Sequence, residues 1–285
     1  EINAALDHKP QAVIISNPTA LHLDVAIPAA QAGCSILMEK PVSHNMERII
    51  DFQAALKHGG GQVLVGFQFR FHPGLRQVKQ WLVEEKIGKV VSCQSRWGEY
   101  LPAWHPWEDF RKSYSARADL GGGVVNTLSH PLDYQRWFFG EVQSLWAYTS
   151  SQSGLELEVE DNAEIGMKFV NGMLSSTHLN YVQRPPEHTL KIIGSAGTIT
   201  WDNADGIARL YQAETDQWQA SVLPTNFERN TLFMDEMKHF LNVVNGNESP
   251  VCTLDDGIQD IRVAEAVHQS AREGRIVDLI GRLEH

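Results

Sequence analysis

Cysteine is scarce. Cys34, Cys93 and Cys252 are the only three in 285 residues, far apart and odd in number. They offer neither a disulfide framework nor a metal-binding pair, and they fit reduced thiols filling the core of a cytoplasmic protein. A His-Glu-x-x-His run is absent as well, so no metal site is expected. No apolar run approaches the roughly 18 residues of a membrane span, and Glu1 to Pro10 are polar rather than signal-like, so no membrane partner is expected. Basic clusters are also missing. With 24 Lys and Arg against 35 Asp and Glu the net charge is −11, which removes the electrostatic footprint of a phosphate-backbone binder. Nucleic acid is therefore not an expected partner, although a local basic pocket stays open.

What is present is ordinary globular composition, 42% hydrophobic and 21% charged. The length suits one large or two modest domains of about 150 residues each. The final Leu283, Glu284 and His285 resemble the start of a vector-encoded tag and carry no functional weight.

The first 70 residues alternate short apolar strands with helices. Glu1 to His8 reads as a short helix and Ala12 to Ser16 as a buried strand. A helix closing at Gly33 follows, then the strand Ser35 to Met38, a helix from Asn45 to His58, and the strand Val63 to Phe67. This order predicts a parallel sheet covered by helices, with ligands beyond the carboxyl ends of its strands. From about Val90 the pattern becomes strand after strand with period-two alternation, closing on turns such as Asn171-Gly172. A second domain with a mainly antiparallel sheet is expected there. One helical stretch, Val124 to Phe139, interrupts it, and helices Asn230 to Val244 and Asp255 to Glu273 close the chain, the last with Thr253 and Asp255 as candidate caps.

Two groups of residues carry chemistry. Glu39-Lys40-Pro41 stands at the end of the second strand, where the proline bars Lys40 from helical geometry. Position alone leaves Lys40 open between a solvated loop residue and a functional one. Gly121-Gly122-Gly123 precedes Asn126, His130 and Asp133, which would share one face if the stretch is a continuous helix. A capped helix with a core histidine is the competing interpretation.

Together these residues resemble the glucose-fructose oxidoreductase, inositol dehydrogenase and rhizopine-catabolism (Gfo/Idh/MocA) family. The resemblance rests on Asn17-Pro18-Thr19 with His22, Glu39-Lys40-Pro41, Gly66 to Phe71, Asp109-Phe110-Arg111, the glycine run with His130-Pro131-Leu132-Asp133, and Gly194 to Thr198, in that order. It implies an α/β protein: an incomplete Rossmann parallel sheet in residues 1–70, then a substrate and oligomerisation domain in residues 71–282 with a large, mainly antiparallel open sheet, and a tag remnant in 283–285. It further implies an NAD or NADP cofactor, a homodimer or homotetramer, Lys40 holding the reacting oxygen, and His130 as general acid/base. Ser16, Asn17, Pro18, Thr19, His22, Glu39, Lys40, Pro41 and Gln68 are the expected cofactor contacts. Where relatives commonly carry Asp four residues before the histidine, this chain has Asn126, which is assigned to substrate positioning. No Gly-x-Gly-x-x-Gly occurs in the 285 residues, so a phosphate-binding half of the cofactor domain is expected upstream of Glu1.

The stretch Trp97 to Arg111 interleaves aromatic faces with polar tips, which suits a sugar, while three tryptophans packed under a loop would give the same pattern. Tyr100, Trp104, His105, Asp109 and Arg111 are the substrate candidates. Arg111, Arg70, Arg117 and Lys112 are expected to meet a carboxylate or a nucleotide diphosphate, which places a nucleotide-linked or acidic sugar ahead of a free polyol. The expected function is hydride transfer between nicotinamide and a hydroxyl or keto carbon of a sugar or nucleotide sugar. An NAD-dependent glycosidase of the same fold and a non-catalytic dinucleotide-sensing regulator are the alternatives.

Overall fold

The computed structural model describes residues 2–280, so the expected tag remnant lies outside the described residues. The chain opens with α1 (Ile2–Leu6), β1 (Ala12–Ile15), α2 (His22–Gln31), β2 (Ser35–Glu39), α3 (Ile49–Gly59) and β3 (Val63–Gly66). The strands form a parallel sheet in the order β1-β2-β3, as their apolar runs and intervening helices predict. Ala26, Ala29 and Ala30 make the fully buried stripe that seats α2 beside Ile36 and Met38 of β2. The third helix begins at Ile49 rather than Asn45, because Asn45 turns its side-chain oxygen onto the Glu47 backbone N–H at 3.1 Å and holds a turn instead.

Next come α4 (Pro73–Val83), β4 (Val90–Tyr100), α5 (Val124–Thr127), α6 (His130–Phe139), β5 (Val142–Ser150), β6 (Asn162–Phe169), β7 (Leu174–Asn180), β8 (Val182–Gly194), β9 (Gly197–Asp202), β10 (Ala208–Gln212) and β11 (Gln217–Ala220). The chain continues through α7 (Arg229–Val244), α8 (Leu254–Glu273) and β12 (Val277–Asp278). The second sheet has nine strands in the order β11-β10-β9-β8-β4-β7-β6-β5-β12. Its pairs are antiparallel except β4 with β7. One face packs on α4 and α6. The other carries exposed Trp146, Tyr148 and Leu174, the face on which an oligomer interface is expected.

The predicted helix from Val124 to Phe139 is two helices, broken at Leu128 and Ser129. Pro131 supplies the reason, since it brings no N–H for the Thr127 carbonyl four residues back and its ring would crowd that oxygen. Helix α8 serves both cores: Leu254, Ile258 and Ile261 pack with the parallel sheet, whereas Val263, Ala264 and Val267 pack with the large one. Thr253 caps α8 as expected, but its reciprocal partner is Asp256, not Asp255.

A buried ion pair joins the two halves. Arg70, 2% exposed, forks onto Asp133, 0% exposed, with Nη2 to Oδ1 at 2.6 Å and Nε to Oδ1 at 3.0 Å, and also donates to the Val251 carbonyl at 2.8 Å. Arg136 does the same one turn along α6, reaching Asp260 at 2.7 Å and Glu141 at 2.8 Å. Asp133→Ala leaves the buried Arg70 charge with only the more exposed Asp256, 3.4 Å away, so urea unfolding should show a loss of about 3–5 kcal/mol. A loss below about 1 kcal/mol would mean that water or a rearranged carboxylate replaces the pair.

Candidate active site

The carboxyl ends of β1, β2 and β3 face α5 and the start of α6 across a cavity of about 950 Å³. Lys40 leaves the end of β2, and its Nζ donates to the Thr127 carbonyl of α5. That carbonyl is free because Pro131 cannot donate to it, so one proline both ends the helical turn and supplies the lysine's anchor. Burial lowers the Lys40 pKa to about 8, opposed in part by the Glu39 carboxylate beside it. His130 opens α6, 1% exposed, with the rings of Phe69, Phe67 and Trp97 at 4.8, 5.5 and 5.5 Å. Burial, then the neighbouring Lys40 charge, holds its imidazole well below the usual histidine range. An uncharged His130 and a Lys40 whose proton affinity lies near neutrality thus share one wall.

Of the other expected site residues, Pro18, Glu39, Gln68, Trp104 and His105 line the cavity. Several do not. His22 sits with Nδ1 2.9 Å from the Pro41 carbonyl and Nε2 2.9 Å from the Asn17 carbonyl, where it ties the loops after β1 and β2 together. Burial lowers its pKa, and the neutral ring has one N–H for the two oxygens. Ser16 is exposed, while Thr19 and Pro41 are buried behind the wall. Asn126 turns back into its own glycine run, donating to the Gly121 and Gly122 carbonyls at 3.3 and 3.4 Å, because the helix break removes it from the face of His130. Asp133 shares α6 with His130 but is turned onto Arg70.

The cations expected to meet an anionic ligand are mostly engaged elsewhere. Arg70 is held by Asp133, Arg117 by Asp119 at 2.9 Å, and Arg111 lies outside the cavity, 3.8 and 3.9 Å from Asp109 and Glu156 and stacked on Phe110. Asp109 accepts the Arg111 backbone N–H, and Tyr100 lies beneath Arg184 at 4.0 Å. Only Lys112 of that set reaches the wall.

Sequence reasoning missed much of the far wall. Phe69, His72, Trp97, His188, Phe227 and Arg229 also line the cavity. His188 stacks flat on Trp97 at 4.3 Å and an interplanar angle of 1°, and burial takes its pKa down to about 3. Period-two alternation flagged β4 and β8, which carry Trp97 and His188, but does not say which inward residues meet a cavity. Gln68 Oε1 and Trp104 Nε1 are buried there without a partner in the protein, an acceptor and a donor left for a ligand. No cluster able to hold a metal occurs among the described residues. Pro18, Glu39, Lys40 and Gln68, gathered at the strand ends, fit the nicotinamide end of a dinucleotide, which needs mixed donors and acceptors there.

Residues 2–67 match the oxidoreductase family's NAD-binding Rossmann fold, and residues 79–279 match its C-terminal alpha/beta domain. The chain belongs to the Gfo/Idh/MocA oxidoreductase family and to its NAD-binding enzymes. It is 26% identical to an uncharacterized oxidoreductase of Synechocystis over 93% of this chain and 73% of that protein. It is 23% identical to the 1,5-anhydro-D-fructose reductase of Ensifer adhaerens, covering 96% of this chain and 81% of the relative. A levoglucosan dehydrogenase solved with NADH and L-sorbose shares its fold with a TM-score of 0.89 at 20% identity, over 98% of this chain and 82% of that one.

Behind the site, Glu236 of α7 is 4% exposed and its Oε1 has no partner, so burial and the nearby Glu39 raise its pKa to about 8. Folded Glu236 therefore keeps a proton that the unfolded chain releases above about pH 4.3, and stability falls as pH rises from there through about 8. Glu236→Gln removes this slope. Its melting temperature should exceed the parent's by several degrees at pH 8 and by much less at pH 5, and an equal shift at both pH values would contradict the assignment.

Proposed function

We propose that this chain is a dehydrogenase or reductase acting on a hydroxyl or keto carbon of a sugar. The observation that carries the reading is the meeting of Lys40 and His130 on one wall of an aromatic-lined cavity at the carboxyl ends of the parallel strands. Bound nicotinamide supplies the hydride acceptor or donor. The Lys40 ammonium, anchored by the Thr127 carbonyl, holds the reacting oxygen and opposes the negative charge that grows on it. His130, uncharged, takes the hydroxyl proton in oxidation, and the surrounding rings of Phe67, Phe69 and Trp97 keep water from it. In reduction the ammonium form of Lys40 is required. Pro18, Glu39 and Gln68 complete the cofactor-facing wall, while Trp104 and His105 face the sugar.

A neutral, unphosphorylated sugar fits better than a nucleotide sugar. Arg70, Arg111 and Arg117 are paired with carboxylates, and Glu99, Glu108 and Asp205 line the same cavity as Lys112 and Arg229, so the wall carries charge of both signs rather than the cationic patch a diphosphate needs. The names of relatives agree, among them a D-xylose 1-dehydrogenase (NADP(+)) of Haloferax volcanii and a levoglucosan dehydrogenase of Pseudarthrobacter phenanthrenivorans.

A panel of neutral aldoses, ketoses and anhydro sugars set against uridine-diphosphate sugars, read by nicotinamide absorbance with NAD(H) and NADP(H), tests the reading. Turnover is expected with a neutral sugar, and turnover of nucleotide sugars alone would overturn it. Lys40→Met should lower kcat/KM by about 10²–10³ in a chain that still folds cooperatively. For the parent, reductive kcat/KM should fall as pH rises through about 8, where Lys40 loses its proton; a flat profile to pH 10 would remove the ammonium from the mechanism.

A further inference from the structure

Lys40 is placed by α5, yet α5 is a single turn of four residues, too short to hold its own geometry. Its amino end is fixed from outside. The Glu160 backbone carbonyl accepts the Val124 N–H at 3.0 Å, and the Glu160 side chain accepts the Val125 N–H at 3.1 Å. The other end of the turn presents the Thr127 carbonyl to Lys40, and His130 follows three residues later. Gly123 makes room for this contact. Its φ is +104°, and a Cβ there would stand 2.4 and 2.6 Å from the two Glu160 carboxylate oxygens. The third glycine of the run is thus the seat of a half-buried glutamate rather than a close approach to a ligand.

We propose that Glu160 is a positioning residue for Lys40, capping α5 so that the Thr127 carbonyl stays where the ammonium needs it. The proposal rests on the assignment of Lys40 to the reacting oxygen for its functional meaning, but its geometry stands without it. The groups facing Glu160 are few: Asp161 beside it, which accepts the Ser153 N–H at 3.1 Å, and the buried Tyr181, which donates to the Ser115 carbonyl at 3.3 Å. Among the described residues no salt bridge reaches Glu160 itself, so burial raises its pKa to about 7 and backbone N–H donation is its main support. Side-chain length is therefore the sensitive variable, more than charge.

The test compares Glu160→Gln, Glu160→Asp and Glu160→Ala in the full chain by two readouts that need no turnover. One is amide hydrogen exchange in residues 124–128. The other is the rate at which a limiting acylating reagent labels Lys40 at pH 7, read on its peptide by mass spectrometry. Glu160→Gln keeps an acceptor oxygen at the same reach and should stay within about twofold of the parent in both. Glu160→Asp and Glu160→Ala lose that reach and should speed exchange in 124–128 by about tenfold and slow Lys40 labelling at pH 7 by about tenfold, because the released lysine regains water and stays protonated, with α8 and β6 protected as before. If Glu160→Ala does not fold, Glu160→Asp decides alone. Parent-like Lys40 labelling in the shortened variant overturns the proposal, as does faster exchange spread evenly over the second domain, which is what a merely structural role would give. Loss of sugar turnover in every variant with these readouts unchanged would overturn the positioning role and leave the assignment of Lys40 standing, whereas changed labelling with no turnover in the parent would fault the assignment alone.

Discussion

One hydrogen bond joins the two chemistries of this protein, the one from the Lys40 ammonium at the end of β2 to the Thr127 carbonyl at the end of α5. Its donor belongs to the parallel sheet and its acceptor to the second domain, so neither domain alone places the lysine. A charge-assisted bond of this kind contributes about 1.5–3 kcal/mol, modest beside the cost of ordering two domains. Much of the remaining structure can be understood as holding its two ends in place. It also sets the electrostatics: the same burial that shields the contact lowers Lys40 toward neutrality and keeps His130 uncharged beside it.

The supports are of two kinds. Apolar packing is shared through α8, whose amino-terminal half completes the core of the parallel sheet and whose carboxyl-terminal half completes that of the large sheet. Buried charge is shared through Arg70, which ties the segment after β3 to α6 through Asp133 and to the approach of α8 through the Val251 carbonyl. Isolated buried pairs are poor sources of stability, but they tolerate little displacement, which suits an interface that must set a lysine against a single carbonyl. Around the cavity the rule reverses, and Gln68 and Trp104 keep buried polar atoms without protein partners.

The strand and helix order of the first 70 residues was legible because period, turns and apolar runs agree, whereas position alone left Lys40 open between a solvated loop residue and a functional one. The family's motifs singled out both Lys40 and His130. The sequence also held the signal for the break between α5 and α6, since Pro131 removes an N–H from a continuous helix, but a glycine run ahead of a helical pattern reads as one element. That single error misplaced Asn126, while Asp133, on the same helix as His130, is taken up by Arg70. The loop from Trp97 to Arg111 was overread, because interleaved aromatic and charged residues look alike whether they face a ligand or each other; Asp109, Arg111 and Tyr100 are satisfied locally. Glu160 and His188 left no local signal. Their neighbours, Gly123 and Trp97, lie 37 and 91 residues away in sequence, and only the sheet brings them together.

The most direct measurement is the titration of Lys40 itself, by competitive labelling across pH or by NMR of a selectively labelled lysine in the intact chain. If the ammonium is buried against the Thr127 carbonyl between the domains, its midpoint falls near pH 8 and moves upward when Thr127 and its turn are unfolded by urea. A midpoint near 10.4, the value of a lysine in water, would mean that Lys40 is solvated and that the junction on which this account depends is not formed.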